Sequence, residues 1–124
     1  MGTEQNIFPI INDPGVNLAT GTLYWSFWQY SGTEAHCQHE MPKYRIESLL
    51  INIGVINTTI TLYLRVNGVS TSLGTITTAG SHELSPASPV DIAEDDLVNL
   101  MITKSGGGGS LYRPLTGGLK YGNA

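Results

Sequence analysis

Charged side chains are scarce in this chain of 124 residues. Asp, Glu, Lys and Arg make up 13% of it, about half of the ~25% that is usual for soluble domains. The formal net charge is −4, and the six Lys and Arg residues are scattered. Binding of nucleic acid needs concentrated positive charge, so we expect no nucleic-acid partner. The polarity of the protein surface must therefore come mainly from Thr, Ser, Asn and Gly. This indicates either a protein with much of its surface in contact with other protein or a tight β-structure with neutral polar faces.

Long apolar runs and paired cysteines are missing as well. No apolar run approaches the ~18–20 residues of a spanning helix, so we expect no membrane partner. The N-terminus lacks the basic start and the apolar stretch of a secretory signal. The single cysteine, Cys37, has no second cysteine in the chain to pair with. These absences predict a protein that is made and assembled in a cytosol and stabilised by packing alone.

Motifs of catalysis are absent too. The chain contains neither a Gly-x4-Gly-Lys-Ser/Thr phosphate loop nor a Gly-x-Ser-x-Gly elbow. Glu94, Asp95 and Asp96 are adjacent in a predicted turn, whereas glycosidase carboxylates face each other across a cleft. We interpret these acids as solvated, with weak calcium binding as the alternative. We therefore expect that this protein is not an enzyme and that it binds no cofactor.

One short segment, His36-Cys37-Gln38-His39-Glu40, groups several metal-ligating residue types. A zinc site needs about four ligands in tetrahedral geometry. If the segment is extended, His36 and His39 point to opposite faces. A single chain would then have no simple way to bind one metal ion with both histidines. We therefore predict a polar loop and no metal site. A metal shared across a symmetry axis and Cys–His nucleophilic chemistry are the alternatives.

What the chain does contain is typical of β-structure. Its 15 glycines and 6 prolines separate segments rich in Thr, Val, Ile and Tyr, and no window has a convincing helical period. In residues 58–66 an apolar set is predicted to face inward, and Asn67-Gly68 then predicts a hairpin turn. Residues 44–55 form a second predicted strand. The inward sets are Ile60, Leu62, Leu64 and Val66, and Leu49, Ile51, Ile53 and Val55.

Strands and turns recur about every 8–12 residues, which indicates about eight short strands in an antiparallel β-sandwich or jelly roll. We divide the chain into an extended N-terminal arm, residues 1–20, and a β-sandwich domain, residues 21–124. Pro9 cannot donate to a β-ladder, so the apolar part of the arm is an edge strand or lies outside the sheets. The arm docks on its own sandwich or on a neighbouring subunit.

Residues 21–30 form an aromatic strand that is apolar on both faces. One face belongs in the core, and a loop, the arm or another chain must cover the other. Its aromatic residues are also compatible with a sugar-stacking platform. The candidate residues for a partner interface are Ile7, Phe8, Ile10, Ile11, Tyr24, Trp28 and Tyr30.

Residues 44–103 also resemble a known group of proteins. An apolar strand at 45–53 precedes a strand that ends in Leu64-Arg65-Val66-Asn67-Gly68, and Val90-Asp91-Ile92-Ala93-Glu94-Asp95-Asp96-Leu97 follows. This pattern is similar to the trimeric jelly-roll modules of tailed-phage virion proteins, which share the fold of tumour necrosis factor and the complement globular head. In those modules a strand ending in Arg/Lys-x-Asn-Gly is followed by a segment like val-ala-ala-gly-asp. Asp95 stands here in place of its glycine.

The resemblance implies a homotrimer with a jelly-roll β-sandwich that serves as a structural protein of a bacteriophage virion. As a capsid decoration, or cement, protein it would bind the major capsid protein or another virion protein on the outer capsid surface and stabilise the shell. It would be made in the host cytoplasm and located on the virion. The alternatives are a fibre or spike module that recognises a host glycan, although the chain has no elongated shaft, and a small carbohydrate-binding β-sandwich.

Overall fold

A computed structural model describes residues 6–10, 22–25, 30–31, 34–36, 38–40, 44–104 and 112–123. Over these residues the chain consists of β-strands and a single 3-10 turn, Glu34–His36, with the strands in two antiparallel sheets. The predicted all-β class is confirmed. The two sheets are compatible with the predicted β-sandwich.

The described residues form eleven strands, and three of these are only two residues long. The strands are β1 (Asn6–Ile10), β2 (Thr22–Trp25), β3 (Tyr30–Ser31), β4 (His39–Glu40), β5 (Tyr44–Ile56), β6 (Ile60–Val66), β7 (Val69–Ile76), β8 (Gly80–Leu84), β9 (Val90–Asp91), β10 (Leu97–Lys104) and β11 (Tyr112–Asn123). The first sheet has the order β1-β11-β5-β8, and β9 also pairs with β5. The second has the order β3-β2-β10-β6-β7, and β4 also pairs with β10. The chain changes sheet after β1, β4, β5, β7, β9 and β10, so strands distant in sequence become neighbours.

A core of aliphatic side chains joins the two sheets. Each of its members is at most 4% exposed, and burying one such side chain contributes roughly 1.5–3 kcal/mol to folding. The members are Ile46, Leu49, Ile51, Ile53, Ile60, Leu62, Leu64, Leu73, Ile76, Ile92, Val98, Leu100, Ile102 and Leu119.

Strand β6 and its turn follow the sequence-based prediction closely. Ile60, Leu62 and Leu64 are completely buried. The turn to β7 has φ of 51° at Asn67 and 80° at Gly68. Positive φ at both central residues is what a type I′ hairpin requires, because its twist matches that of the strands it joins. The predicted hairpin is therefore confirmed.

Strand β5 departs from its predicted alternation at one end. Ile51 and Ile53 are buried as expected, but Val55 is 45% exposed. In the pairing with β11, Arg113 lies opposite Val55 and Pro114 lies opposite Ile53, so Gly54 is an extra residue in β5. Such a bulge reverses the alternation of side chains beyond it. Ile56, rather than Val55, consequently packs against the core.

The N-terminal strand lies at one end of the first sheet. Asn6–Ile10 pairs antiparallel with β11, and Pro9 lies opposite Gly118. This is the edge-strand alternative that the proline predicts, and it places these five residues on the chain's own sheet. The rest of the predicted arm, residues 1–5 and 11–20, lies outside the described residues.

Candidate functional site

The surface of the second sheet that faces away from the core is called the outer face here. In antiparallel strands, directly opposed residues point to the same side of the sheet. Met101 lies opposite Tyr24 in β2 and opposite Tyr63 in β6, and Tyr63 lies opposite Ser72 in β7. Tyr24, Tyr63 and Met101 are each half-buried. One row of large side chains thus crosses the middle of the outer face and remains partly accessible.

A row of threonines flanks this aromatic row. Thr103 of β10 lies opposite Thr61 of β6, which in turn lies opposite Thr75 of β7. Thr75 is exposed, while the other two are half-buried. Threonine suits a pleated and partly buried surface because its branched side chain packs well against its cross-strand neighbours. The row adds hydroxyl groups to the outer face without adding charge.

Among the side chains that the structure describes, the charged groups on this face form a closed ion pair. The backbone of Glu40 also lies on this side of the sheet, opposite Leu97, but its side chain lies outside the description. Arg65 donates from Nε to Glu34 Oε2 at 2.7 Å and from Nη2 to Glu34 Oε1 at 2.9 Å, and its Nη1 bonds Ser70 Oγ at 2.8 Å. Their side chains are 18% and 20% exposed. The bidentate bond to Arg65 lowers the pKa of Glu34 and raises that of Arg65. The pair therefore fastens the 3-10 turn to β6 and leaves no net charge there.

Asn99 is a buried polar residue next to this ion pair, opposite Arg65 in the sheet. Only 3% of it is exposed. Its Nδ2 donates to the carbonyl oxygen of Leu100 at 3.1 Å, and a hydrogen bond from Asn99 helps to lower the pKa of Glu34. No described residue gives its Oδ1 a hydrogen bond. Leaving one acceptor unpaired costs about 1–3 kcal/mol, so the amide must be held in place by its other contacts.

Hydrogen bonds lock the ends of β6 and β10 together. Asn67 donates from Nδ2 to Asp96 Oδ1 at 2.8 Å and accepts at Oδ1 from the Leu97 amide at 2.9 Å. The other carboxylate oxygen of Asp96 accepts from the Ala93 amide at 2.8 Å. The predicted turn acids thus differ in role, because Asp96 is a structural acceptor. Asp95 lies beside it with a φ of 71°, in the left-handed region that favours glycine.

The outer surface of the first sheet carries more charge. Ser48 donates to Glu83 Oε2 at 2.8 Å, and Lys120 Nζ lies 3.7 Å from the same oxygen. At the end of that sheet, Arg45 and Asp91 form an exposed ion pair at 2.8 Å. The two outer surfaces of the described structure are therefore chemically unequal. On the outer face of the second sheet, the described charged side chains are the mutually neutralised Arg65 and Glu34.

The predicted interface residues do not gather on one surface. The backbones of Ile7, Phe8 and Ile10 lie in β1 of the first sheet, whereas Tyr24 and the backbone of Tyr30 lie in the second. Ile11 and Trp28 lie outside the described residues.

Sequence reasoning selected neither Tyr63 nor Met101 as an interface residue, although the alternation of Tyr63 with the inward residues Leu62 and Leu64 predicts that it faces outward. The alternation in β6 was a usable signal for Tyr63. For Met101 the signal is the pairing of β10 between β2 and β6, which no local pattern reveals.

Metal binding remains a matter of prediction for the segment 36–39. The side chains of His36, Cys37 and His39 lie outside the description, and among the residues covered no group of three or more His, Cys, Asp or Glu could hold a metal ion. The sequence shows no partner for His82 and predicts that it is exposed, and the structure contradicts both expectations. It is half-buried, and its Nε2 lies 2.9 Å from the Thr78 carbonyl oxygen, because β8 turns it toward the side of Ile51.

Two further findings concern membrane-spanning helices and likeness to known proteins. The part of the chain that the structure covers has no helix with the length and apolarity that a membrane crossing demands. Comparison with protein-family models, curated proteins and solved structures gives no match to this chain in any of the three.

Proposed function

We propose that this protein is a virion structural protein, a capsid decoration protein that acts as a homotrimer and has no catalytic role. The observation that carries the proposal is the outer face. It has half-buried Tyr24, Tyr63 and Met101 at its centre, and the charged side chains described on it, Arg65 and Glu34, neutralise each other. Tyrosine and methionine are enriched in the centres of protein interfaces, where charged residues are depleted.

The strand order supports a jelly roll as the finer description of the fold. In a jelly roll with strands B to I, two Greek keys produce sheets of order B-I-D-G and C-H-E-F. The orders β1-β11-β5-β8 and β2-β10-β6-β7 follow this scheme when the short strands β3 and β4 are grouped with β2, and β9 with β8. The predicted jelly roll is thus consistent with every described strand pairing.

The turn before β10 is a second feature, beside the strand order, that supports the resemblance to phage virion modules. Those modules have glycine where this chain has Asp95. Asp95 adopts a φ of 71°, which glycine reaches without steric cost. Glycine would adopt this conformation without strain, so the substitution is compatible with the resemblance.

Energetics favour a binding role for the outer face. Burying an unpaired charge in an interface is costly, whereas Arg65 and Glu34 already neutralise each other. A stable interface buries about 800 Å² on each partner. On a capsid, symmetry repeats the same contact many times, so that even a modest interface holds by avidity.

The test compares a charge placed on each outer surface. Tyr63→Glu puts a carboxylate in the centre of the outer face, and Ser81→Glu puts one on an exposed position of the first sheet, opposite Asn52. We expect the unmodified protein and Ser81→Glu to sediment as trimers and to coat phage capsid shells. Tyr63→Glu should remain folded by circular dichroism but lose trimerisation, shell binding or both.

Two results would count against this proposal. If Tyr63→Glu coats shells as well as Ser81→Glu does, the outer face is not the contact surface. If the unmodified protein ignores shells but binds glycans, and Tyr24→Ala and Tyr63→Ala each abolish that binding, the fibre or carbohydrate-binding alternative is favoured. Stacking of tyrosine rings on sugar rings would then explain the same row.

A further inference from the structure

Strand β7 lies at the end of the second sheet. Its residues pair with β6 from Ile60↔Ile76 to Val66↔Val69, and none of the described strands pairs with its other side. Ser70, Ser72 and Thr75 are exposed, and Val69 is 68% exposed. An edge strand of this kind presents a row of backbone N–H and C=O groups to its surroundings.

Charged side chains and proline, two of the usual devices that block an edge strand, are absent from β7. Residues 66–81 contain no charged side chain and no proline, although lysine and proline are common guards of natural edges. The edge strands of the first sheet differ. β1 contains Pro9, and β8 is five residues long and contains Glu83. The one irregularity of β7, the extra residue Leu73, lies in its second half and leaves Val69–Ser72 regular.

We propose that the edge of β7 is a strand-pairing site whose partner is β7 of a second copy of this chain. Only an extended strand can satisfy a row of alternating backbone donors and acceptors. Two identical strands pair antiparallel about a two-fold axis, which makes a closed interface in which each copy offers the same surface.

Charge favours a second copy as the partner. The chain has a net charge of −4, so most self-contacts would bring like charges together. Pairing β7 with itself avoids this repulsion because the strand is neutral. The register that uses the regular part of the strand is centred on Thr71, with Ser70 opposite Ser72 of the second copy. It also keeps the outer faces of both copies on the same side of one continuous sheet.

This contact is small, so it should be weak and should depend on concentration. Each backbone hydrogen bond contributes about 0.5–1.5 kcal/mol net, and association has a substantial entropic cost. We expect the sedimenting mass to rise with protein concentration. It should double if the unit at low concentration is a monomer, and it should double or rise further if the unit is a trimer, because a trimer offers three β7 edges. This readout is separate from the proposed function, since Tyr63→Glu alters the unit and leaves the doubling intact.

The deciding experiment introduces into β7 a charged side chain of the kind that protects natural edge strands. Ser72→Lys should raise the dissociation constant for the doubling step at least about tenfold, because each lysine must be desolvated against the facing strand. Ser81→Lys adds the same charge to an exposed position of β8 and should leave the step unchanged. Thermal unfolding of both variants establishes that the fold persists.

A cross-link tests the register. In a Cys37→Ser background, Thr71→Cys should form a disulfide between two copies under mild oxidation, because facing residues at the axis lie within disulfide distance. Ser81→Cys in the same background should not. A mass that stays constant up to high concentration, or a Thr71→Cys protein that fails to cross-link, would overturn the proposal. A doubling step that Ser72→Lys leaves unaltered would overturn it equally.

Discussion

The two faces of the second sheet are built from the same strands but have opposite properties. On the inner face, Leu62 and Leu64 of β6 and Ile102 of β10 are completely buried. On the outer face, Tyr63 and Met101 of the same two strands are half-buried. The inner face supplies the apolar burial that stabilises the fold. The outer face can change its contacts at small cost to the fold, which is what a binding surface needs.

The largest loss of stability should come from a substitution on the inner face. Leu64→Ala removes a fully buried side chain, and we expect it to lower the free energy of unfolding by about 3 kcal/mol, because it combines lost burial with a cavity. Tyr63→Ala, its neighbour on the outer face, should cost about 1 kcal/mol or less. Urea denaturation measures both values. Equal losses of stability in the two variants would show that the inner and outer faces do not differ in their contribution to the fold.

The next effect tests the ion pair at the border of the outer face. Glu34→Gln removes the charge that Arg65 binds through two hydrogen bonds, and we expect a loss of about 1.5–2 kcal/mol near neutral pH. The exposed pair Arg45–Asp91 provides the control, and Asp91→Asn should change stability much less. Similar losses in both variants would show that burial does not strengthen the Glu34 pair.

The Glu34–Arg65 pair also predicts that the stability of the protein depends on pH. Because folding lowers the pKa of Glu34, its contribution is complete above the unfolded value of 4.5 and disappears as the pH falls through the lower folded value. Glu34→Gln should therefore differ from the unmodified protein at neutral pH and converge with it in acid. Denaturation curves across this range measure the difference, and a gap that persists in acid would contradict the assignment.

A smaller effect is expected at the turn that sets the register of the two strands. Asn67→Gly keeps the positive φ and the backbone hydrogen bond to the Leu97 carbonyl oxygen, but it removes the two side-chain hydrogen bonds, to Asp96 and to the Leu97 amide. The expected loss is about 1 kcal/mol. Register decides which face each side chain occupies, so this turn underlies the difference between the faces. An unchanged unfolding midpoint would mean that strand pairing alone holds the register.

The smallest effect has the opposite sign. Asp95 also has a positive φ, but none of the described contacts involves its carboxylate. Asp95→Gly should stabilise the protein by about 0.5 kcal/mol, because relief of the left-handed conformation exceeds the added freedom of the unfolded chain. A thermal shift assay beside Asn67→Gly makes the comparison direct. Destabilisation by Asp95→Gly would reveal a contact of this side chain.

Prediction from sequence succeeded where the signal was local. The alternation in β6 identified Ile60, Leu62 and Leu64 as core, and Asn67-Gly68 identified the hairpin, since both depend only on neighbouring residues. It failed at Val55, because a bulge at Gly54 depends on how β11 pairs with β5. The candidate site was predicted only in part. Tyr24 was selected, but Met101 was not.

The sequence by itself determined the all-β class, the low charge and the neutral stretch that becomes β7, because composition and short-range periodicity carry this information. Tertiary structure alone decided that β10 lies between β2 and β6, which aligns Tyr24, Met101 and Tyr63 in one row. It also decided that Arg65 meets Glu34 across 31 positions of the chain. Pairings between distant strands arise from the packing of the whole core, so no local pattern contains them.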